Sequence, residues 1–188
     1  QAVAALDGPH AGAATTAVLA TWCHGEDRLR HVSVGDSRLF RAGTAGLTQL
    51  TADDSRQVPA HDRGQLVTSA GAVAFRSGLT RAIGIGELGD VVVHEAPLHE
   101  GEMLVASTDG FHDLPGFAAA IAEIFEAGAI GPAAVTKLTA MHDLAGYDDA
   151  SIVLLRRESV PATLVESCVE HLRRNSAPEP DGPCPRHL

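Results

Sequence analysis

Short apolar runs broken by Gly, Asp and Ser dominate the first fifty positions of the chain. Gln1–Leu6 is apolar and ends in the turn-forming stretch Asp7-Gly8-Pro9-His10-Ala11-Gly12. The β-branched segment Thr15–Trp22, the polar turn His24–Asp27 and the run Leu29–Val34 outline a hairpin. A third strand, Arg38–Arg41, follows the joint Gly35-Asp36-Ser37. It turns through Gly43-Thr44-Ala45-Gly46 into Leu47–Leu50, which predicts an antiparallel meander. From Thr51 to Gly78 the pattern weakens, and a loop with a short helix around His61–Ala70 is expected. Asp90–His94 reads as another strand. Met103–Ala106 reads as a buried one that runs into Ser107-Thr108-Asp109-Gly110-Phe111-His112-Asp113.

The period then changes. Phe117, Ile121, Ile124 and Phe125 fall at helical spacing, with Gly128 as a stop. Pro132 suits the first turn of a second helix with Val135, Leu138 and Met141 on one stripe. Gly146–Ala150 leads into the strand Ser151–Leu155. Ser159 and Pro161 open a last helix lined by Leu164, Val165, Cys168, Val169 and Leu172. This order predicts an α+β fold, a layered arrangement of sheets with helices packed outside.

Composition narrows the function. A chain of 188 residues with 45% hydrophobic positions can bury a core as one domain, assigned to residues 1–174, with a Pro-rich flexible tail at 175–188. No run approaches the length of a membrane span and the N-terminus has no secretory pattern, so no membrane partner and a cytoplasmic location are expected. Cys23, Cys168 and Cys184 have neither disulfide nor zinc spacing. A net charge of −10 argues against a nucleic-acid partner, whose phosphates call for clustered Lys and Arg.

The chemistry is carried by acids at the ends of strands: Asp7, Asp36, Asp109 with Asp113, and Asp148 with Asp149. A strand end holds a side chain stiffly, and Gly110 lets the chain turn so that Asp109 and Asp113 project into one space. Hard divalent cations favour such oxygens. Each acid alone also fits a turn or a helix cap. Other centres fail: no nucleophile elbow, no phosphate loop ending in Gly-Lys-Ser/Thr and no His-Glu-x-x-His helix is present. Gly84-Ile85-Gly86-Glu87-Leu88-Gly89 matches the dinucleotide fingerprint, but a predicted strand follows it where that fingerprint needs a helix.

Five segments in order resemble the metal-dependent, type 2C serine/threonine protein phosphatases. They are Val34-Gly35-Asp36-Ser37-Arg38, Gln49–Ser55, Leu79-Thr80-Arg81-Ala82-Ile83-Gly84, Ser107-Thr108-Asp109-Gly110 with Asp113, and Tyr147-Asp148-Asp149-Ala150-Ser151. The resemblance implies a four-layer αββα sandwich of two mainly antiparallel sheets flanked by helices. It also implies hydrolysis of phosphoserine or phosphothreonine on a protein substrate by a water bridging two Mg²⁺ or Mn²⁺ ions. Asp109 and Asp148 would hold the central pair, while Asp36 and Asp113, with Asp109, would form a third, more weakly occupied site. Asp7 and the Gly8 carbonyl would supply the remaining ligands, so Asp7, Asp109 and Asp148 are the catalytic candidates. The chain departs from the family after Gly8, where Pro9-His10-Ala11 stands in its Asp-Gly-x-Gly-Gly motif. Six residues separate Gly8 from Thr15 where the family has long helices, so the expectation is either an earlier segment outside this sequence or a reduced N-terminal helical layer. The alternative is a catalytically impaired relative that binds phosphoproteins or regulates a partner.

Overall fold

A computed structural model describes residues 12–22, 26–59, 61–62, 65–66, 68–69, 72–73, 75–84, 87–128, 130–145 and 148–158. The chain divides into a unit Gln1–Arg157 and a unit Glu158–Leu188, and every described residue but Glu158 belongs to the first. The expected strand Gln1–Leu6, the Asp7-Gly8 turn, the helix from Ser159 and the tail at 175–188 lie outside the described residues.

Strands β1 (Ala17–Trp22) and β2 (Arg28–Val34) form the expected hairpin, with Ala17 opposite Val34 and Trp22 opposite Leu29. The next strand, β3 (Arg38–Gly43), does not extend that sheet. It pairs with β4 (Gly46–Gln49) in a second sheet, so the predicted meander breaks at Gly35-Asp36-Ser37. The break has a packing cause. Leu29 of β2 and Leu39 of β3 bury against each other's sheets in one cluster, which requires the chain to cross from layer to layer between them.

Between β4 and the next long element the described residues form strands, and no helix stands among the described residues of 61–70. β5 (Ser55–Pro59) pairs with β10 (Phe75–Leu79), enclosing β6 (His61–Asp62) with β7 (Gln65–Leu66) and β8 (Thr68–Ser69) with β9 (Ala72–Val73). The strand expected at Asp90–His94 lies later, as β11 (His94–Pro97), paired with β2. Val91, Val92 and Val93 are 46%, 59% and 60% exposed. Their strand propensity goes unused because propensity reflects packing on a pleated surface, and these three have little.

The second sheet is completed by β12 (Met103–Ser107) and β13 (Ile152–Arg156), in the order β13-β12-β3-β4, every neighbour antiparallel. Its central strand β12 is apolar on both faces because both faces are covered. Leu104 and Ala106 meet Leu29, Leu98, Val18 and Ala20 between the sheets. Met103 and Val105 meet Phe40, Phe111, Phe117, Ile121, Ile124 and Leu138 on the other side. Of these, Phe111 comes from α1 (Asp109–His112), Phe117, Ile121 and Ile124 from α2 (Phe117–Glu126), and Leu138 from α3 (Pro132–Ala145).

The spacing predicted for α2 holds, and Gly128 ends it with φ of +78°. In α3 the buried stripe runs through Ala134 and Leu138, with Met141 half-buried. Val135, expected on that stripe, is 63% exposed. The observed layers are sheet, sheet and helices, a mixed α+β architecture with antiparallel sheets; among the described residues no helix covers the outer face of β1-β2-β11. No helix among the described residues is long and apolar enough to cross a membrane.

Candidate metal centre

Asp36 sits where the chain crosses between sheets, and the crossing needs glycine before it. Gly35 is buried with φ of +99°, and a Cβ there would run into the side chain of Thr16. The hydroxyls of Thr16 and Ser37 share a hydrogen bond of 2.6 Å, which closes the turn on its other side. Asp36 is consequently half-buried with little freedom of backbone position.

Asp109 follows β12 and begins α1; its carboxylate accepts the Gly110 N–H at 3.0 Å. Gly110 is required by close approach. A Cβ would stand 2.6 Å from the Asp149 carbonyl oxygen and 2.9 Å from the Ala150 Cβ. The same approach is bonded one residue away, where the Thr108 N–H donates to the Ser151 carbonyl at 3.0 Å and the Ser151 N–H to the Thr108 hydroxyl at 2.9 Å. The segment that follows Asp148 thus lies directly against the turn of Asp109. Asp113 comes one helical turn after Asp109, its N–H donating to the Asp109 carbonyl at 3.1 Å. Its carboxylate is exposed and lies 3.7 Å from the Arg38 guanidinium.

The charges interact. Burial, and next the negative charge of Asp109, push the Asp36 carboxyl above its ordinary range. Arg38 is engaged by Asp53 through both carboxylate oxygens, with a closest approach of 2.6 Å. That hydrogen bonding holds the Asp53 carboxyl below its ordinary range. His112 is buried, with Nδ1 3.2 Å from the Ser107 hydroxyl and 3.3 Å from its carbonyl. Burial, and next the charge of Arg38, lower its pKa. Beside these groups an open cleft of about 620 Å³ runs past Arg38, Gln49, His112 and Phe117.

Asp36 and Asp109, two oxygen donors whose like charges oppose each other, fit a hard divalent cation as part of its ligand set. Among the described residues no three His, Cys, Asp or Glu side chains converge to complete one. Asp148 is exposed, and its carboxylate accepts the N–H of Asp149 at 2.8 Å. Asp7 and Gly8 lie outside the described residues. The motif reading passed over the roles of Asp53 and Asp54, whose carboxylates hold Arg38 and the Gly35 amide. Their position just after a strand, with Arg38 and Arg81 as the nearby basic residues of the other motifs, was the available signal.

Solved structures share this fold. The S. agalactiae serine/threonine phosphatase matches with a TM-score of 0.53 and 20% identity over 71% of this chain and 55% of its own. The catalytic domain of the serine/threonine protein phosphatase PstP, in complex with two manganese ions, matches with a TM-score of 0.51 and 21% identity over 78% of this chain and 60% of its own. The Mycobacterium tuberculosis phosphatase PstP/Ppp gives 0.50 and 20% over 74% and 58%. The chain thus spans between half and two thirds of the length of these structures. No family model and no curated protein matches the chain in sequence. The fold is that of a mixed α+β phosphatase sandwich. More narrowly, it is the fold of the metal-dependent type 2C serine/threonine phosphatases, in agreement with the motif resemblance.

Proposed function

We propose that this chain carries out metal-dependent hydrolysis of phosphoserine and phosphothreonine on protein substrates. The observation that supports this most is the pairing of Asp36 and Asp109. Two sequence-distant turns, one between sheets and one at the end of β12, carry these carboxylates, and the negative charge of Asp109 adds to burial in pushing the Asp36 carboxyl above its ordinary range. Opposed, partly buried carboxylates destabilise a fold unless a cation offsets them. In this reading Asp36, Asp109, Asp113 and Asp148, with Asp7 and the Gly8 carbonyl, hold Mg²⁺ or Mn²⁺. When bound, such ions acidify water and neutralise charge on a phosphoryl group.

The chain's own residues do the rest. Gly35 and Gly110 fix the two turns. The Arg38–Asp53 pair holds β3 to the loop that follows β4 and sets a positive charge beside Asp113. The cleft past Arg38 and Gln49 receives the residues flanking the phosphorylated side chain. The test is hydrolysis of a small aryl phosphate with and without Mn²⁺ by the parent and by Asp109→Asn. Mn²⁺-dependent turnover that falls at least about a hundredfold in the variant is expected, since even groups that only orient metal ligands are worth about 10–100-fold. Turnover unchanged by the substitution would refute the assignment.

A second reading is a catalytically impaired domain that binds phosphoproteins. It is favoured by the Asp148 carboxylate, which bonds its own neighbour's amide, and by the absence of three converging ligands among the described residues. Phosphopeptide binding without turnover in any divalent metal would select it.

A further inference from the structure

We infer that Arg81 and Asp54 are positioning residues for Asp36, acting through the backbone of Gly35; this rests on the reading of Asp36 as a cation ligand. Asp54 brackets Gly35 from both sides. Its Oδ2 accepts the Gly35 N–H at 3.0 Å, and its own N–H donates to the Gly35 carbonyl at 2.9 Å. The same Oδ2 accepts from Nε of Arg81 at 2.9 Å, so the position of the carboxylate is set by the guanidinium. Arg81 is in turn fixed at its other end. One terminal nitrogen donates to the Ser33 carbonyl of β2 at 3.2 Å and the other to the Asp90 carbonyl at 3.1 Å. A fourth tie, from the Thr80 N–H to the Asp54 carbonyl at 2.8 Å, carries the arginine's own segment to the same loop.

Both side chains are largely sheltered, with 30% of Arg81 and 24% of Asp54 exposed, so water competes weakly for these bonds. A single guanidinium therefore joins the end of β2, the loop after β4 and the segment before β11 around one amide. That amide belongs to a glycine whose conformation no other residue adopts easily, and Asp36 is the next residue. The side-chain contacts of Arg81 and Asp54 run to Gly35, Ser33, Asp90 and each other. They determine where Asp36 points.

The experiment is a Mn²⁺ titration of the full chain, followed by the electron paramagnetic resonance of free Mn²⁺, with thermal midpoints in metal-free buffer reporting the fold. Asp36→Asn is expected to lose a Mn²⁺ site. Asp54→Ala and Arg81→Ala are expected to weaken that site about tenfold or more, while Arg28→Ala, which removes an exposed ion pair with Glu95, leaves affinity within about twofold. Parent affinity in both Asp54→Ala and Arg81→Ala, with Asp36→Asn still losing the site, overturns the positioning role and leaves the cation reading standing. Parent affinity in Asp36→Asn removes the cation reading and this inference with it. If Asp54→Ala does not fold, Arg81→Lys and Arg81→Ala carry the comparison. Lysine keeps one donor toward Asp54, so an affinity between those of the parent and of Arg81→Ala is expected; equal affinity in all three overturns the inference.

Discussion

The turn that bears Asp36 and the segment that bears Asp148 belong to one candidate centre, yet they are held in opposite ways. Around Asp36 the backbone is over-determined: Thr16 blocks any side chain at Gly35, Asp54 bonds both polar groups of that glycine, and Thr16 and Ser37 close the turn. Around Asp148 the restraint is lighter: its carbonyl lies 2.9 Å from Nε2 of His142, Gly110 and Thr108 hold the residues that follow, and the carboxylate itself is exposed and bonded locally. The difference teaches that the two ends have different freedom to adapt. A ligand on an over-determined turn sets geometry, and an exposed one has room to adjust to it.

The largest expected effect breaks the comparison at its rigid end. Gly35→Ala should cost about 2–4 kcal/mol, combining a strained positive φ with overpacking against Thr16. Asp148→Ala, at an exposed site, should stay within about 0.5 kcal/mol. Chemical denaturation of both variants checks this. Equal losses would show that the two ends are held alike.

A smaller effect concerns Arg38. Arg38→Leu strands Asp53 with only its bond from Gln49 and should cost about 1–3 kcal/mol at neutral pH. The pH dependence carries the signature. Because the folded pKa of Asp53 is depressed, its contribution is present above the unfolded value near 4 and is lost as pH falls through the folded one. Denaturation at stepped pH should therefore show a steeper acid loss in the parent than in the variant. Parallel acid limbs would remove the pair from the account of the rigid end.

The smallest effect lies on β2, the strand that delivers the rigid turn. His31 is 3% exposed, stacks on His94 and has no hydrogen-bond partner for Nδ1 among the described residues. Burial, and next the charge of His94, lower its pKa, so the neutral form is the folded one. Stability from this source is complete above the unfolded pKa of about 6.5 and declines as pH falls below it toward the folded value. His31→Leu should flatten that decline and be neutral or stabilising by up to about 1 kcal/mol at pH 7. A decline that persists unchanged would place its origin elsewhere.

Much of this arrangement could be read from residue pattern. β2, β3 and β12 announce themselves through alternation or a continuous apolar run, and α2 through Phe117, Ile121 and Ile124. The crossing at Gly35-Asp36-Ser37 could not, since a glycine turn looks the same whether its flanking strands pair or part. The pairs between β5 and β10 were hidden because two-residue strands have no period to detect. Val135 is apolar yet faces outward, because the facing Ile124 and Phe117 cluster, not hydrophobicity alone, decides which side of α3 is inward. The acids were legible as residues. The partners that hold them, Asp54 and Arg81 above all, were not, since those bonds span segments far apart in the chain.

The central claim is that Asp36 and Asp109 share a charge burden that a divalent cation relieves. The most direct measurement is the thermal midpoint of the parent and of Asp36→Asn, each in metal-free buffer and in excess Mn²⁺. In metal-free buffer the variant should melt at or above the parent, because one of two opposed carboxylates is gone. Mn²⁺ at about a hundred times its dissociation constant should stabilise the parent by roughly 2.7 kcal/mol, or about 5–10 °C, and the variant by much less. A parent midpoint unmoved by Mn²⁺, or an equal rise in both proteins, would contradict the account.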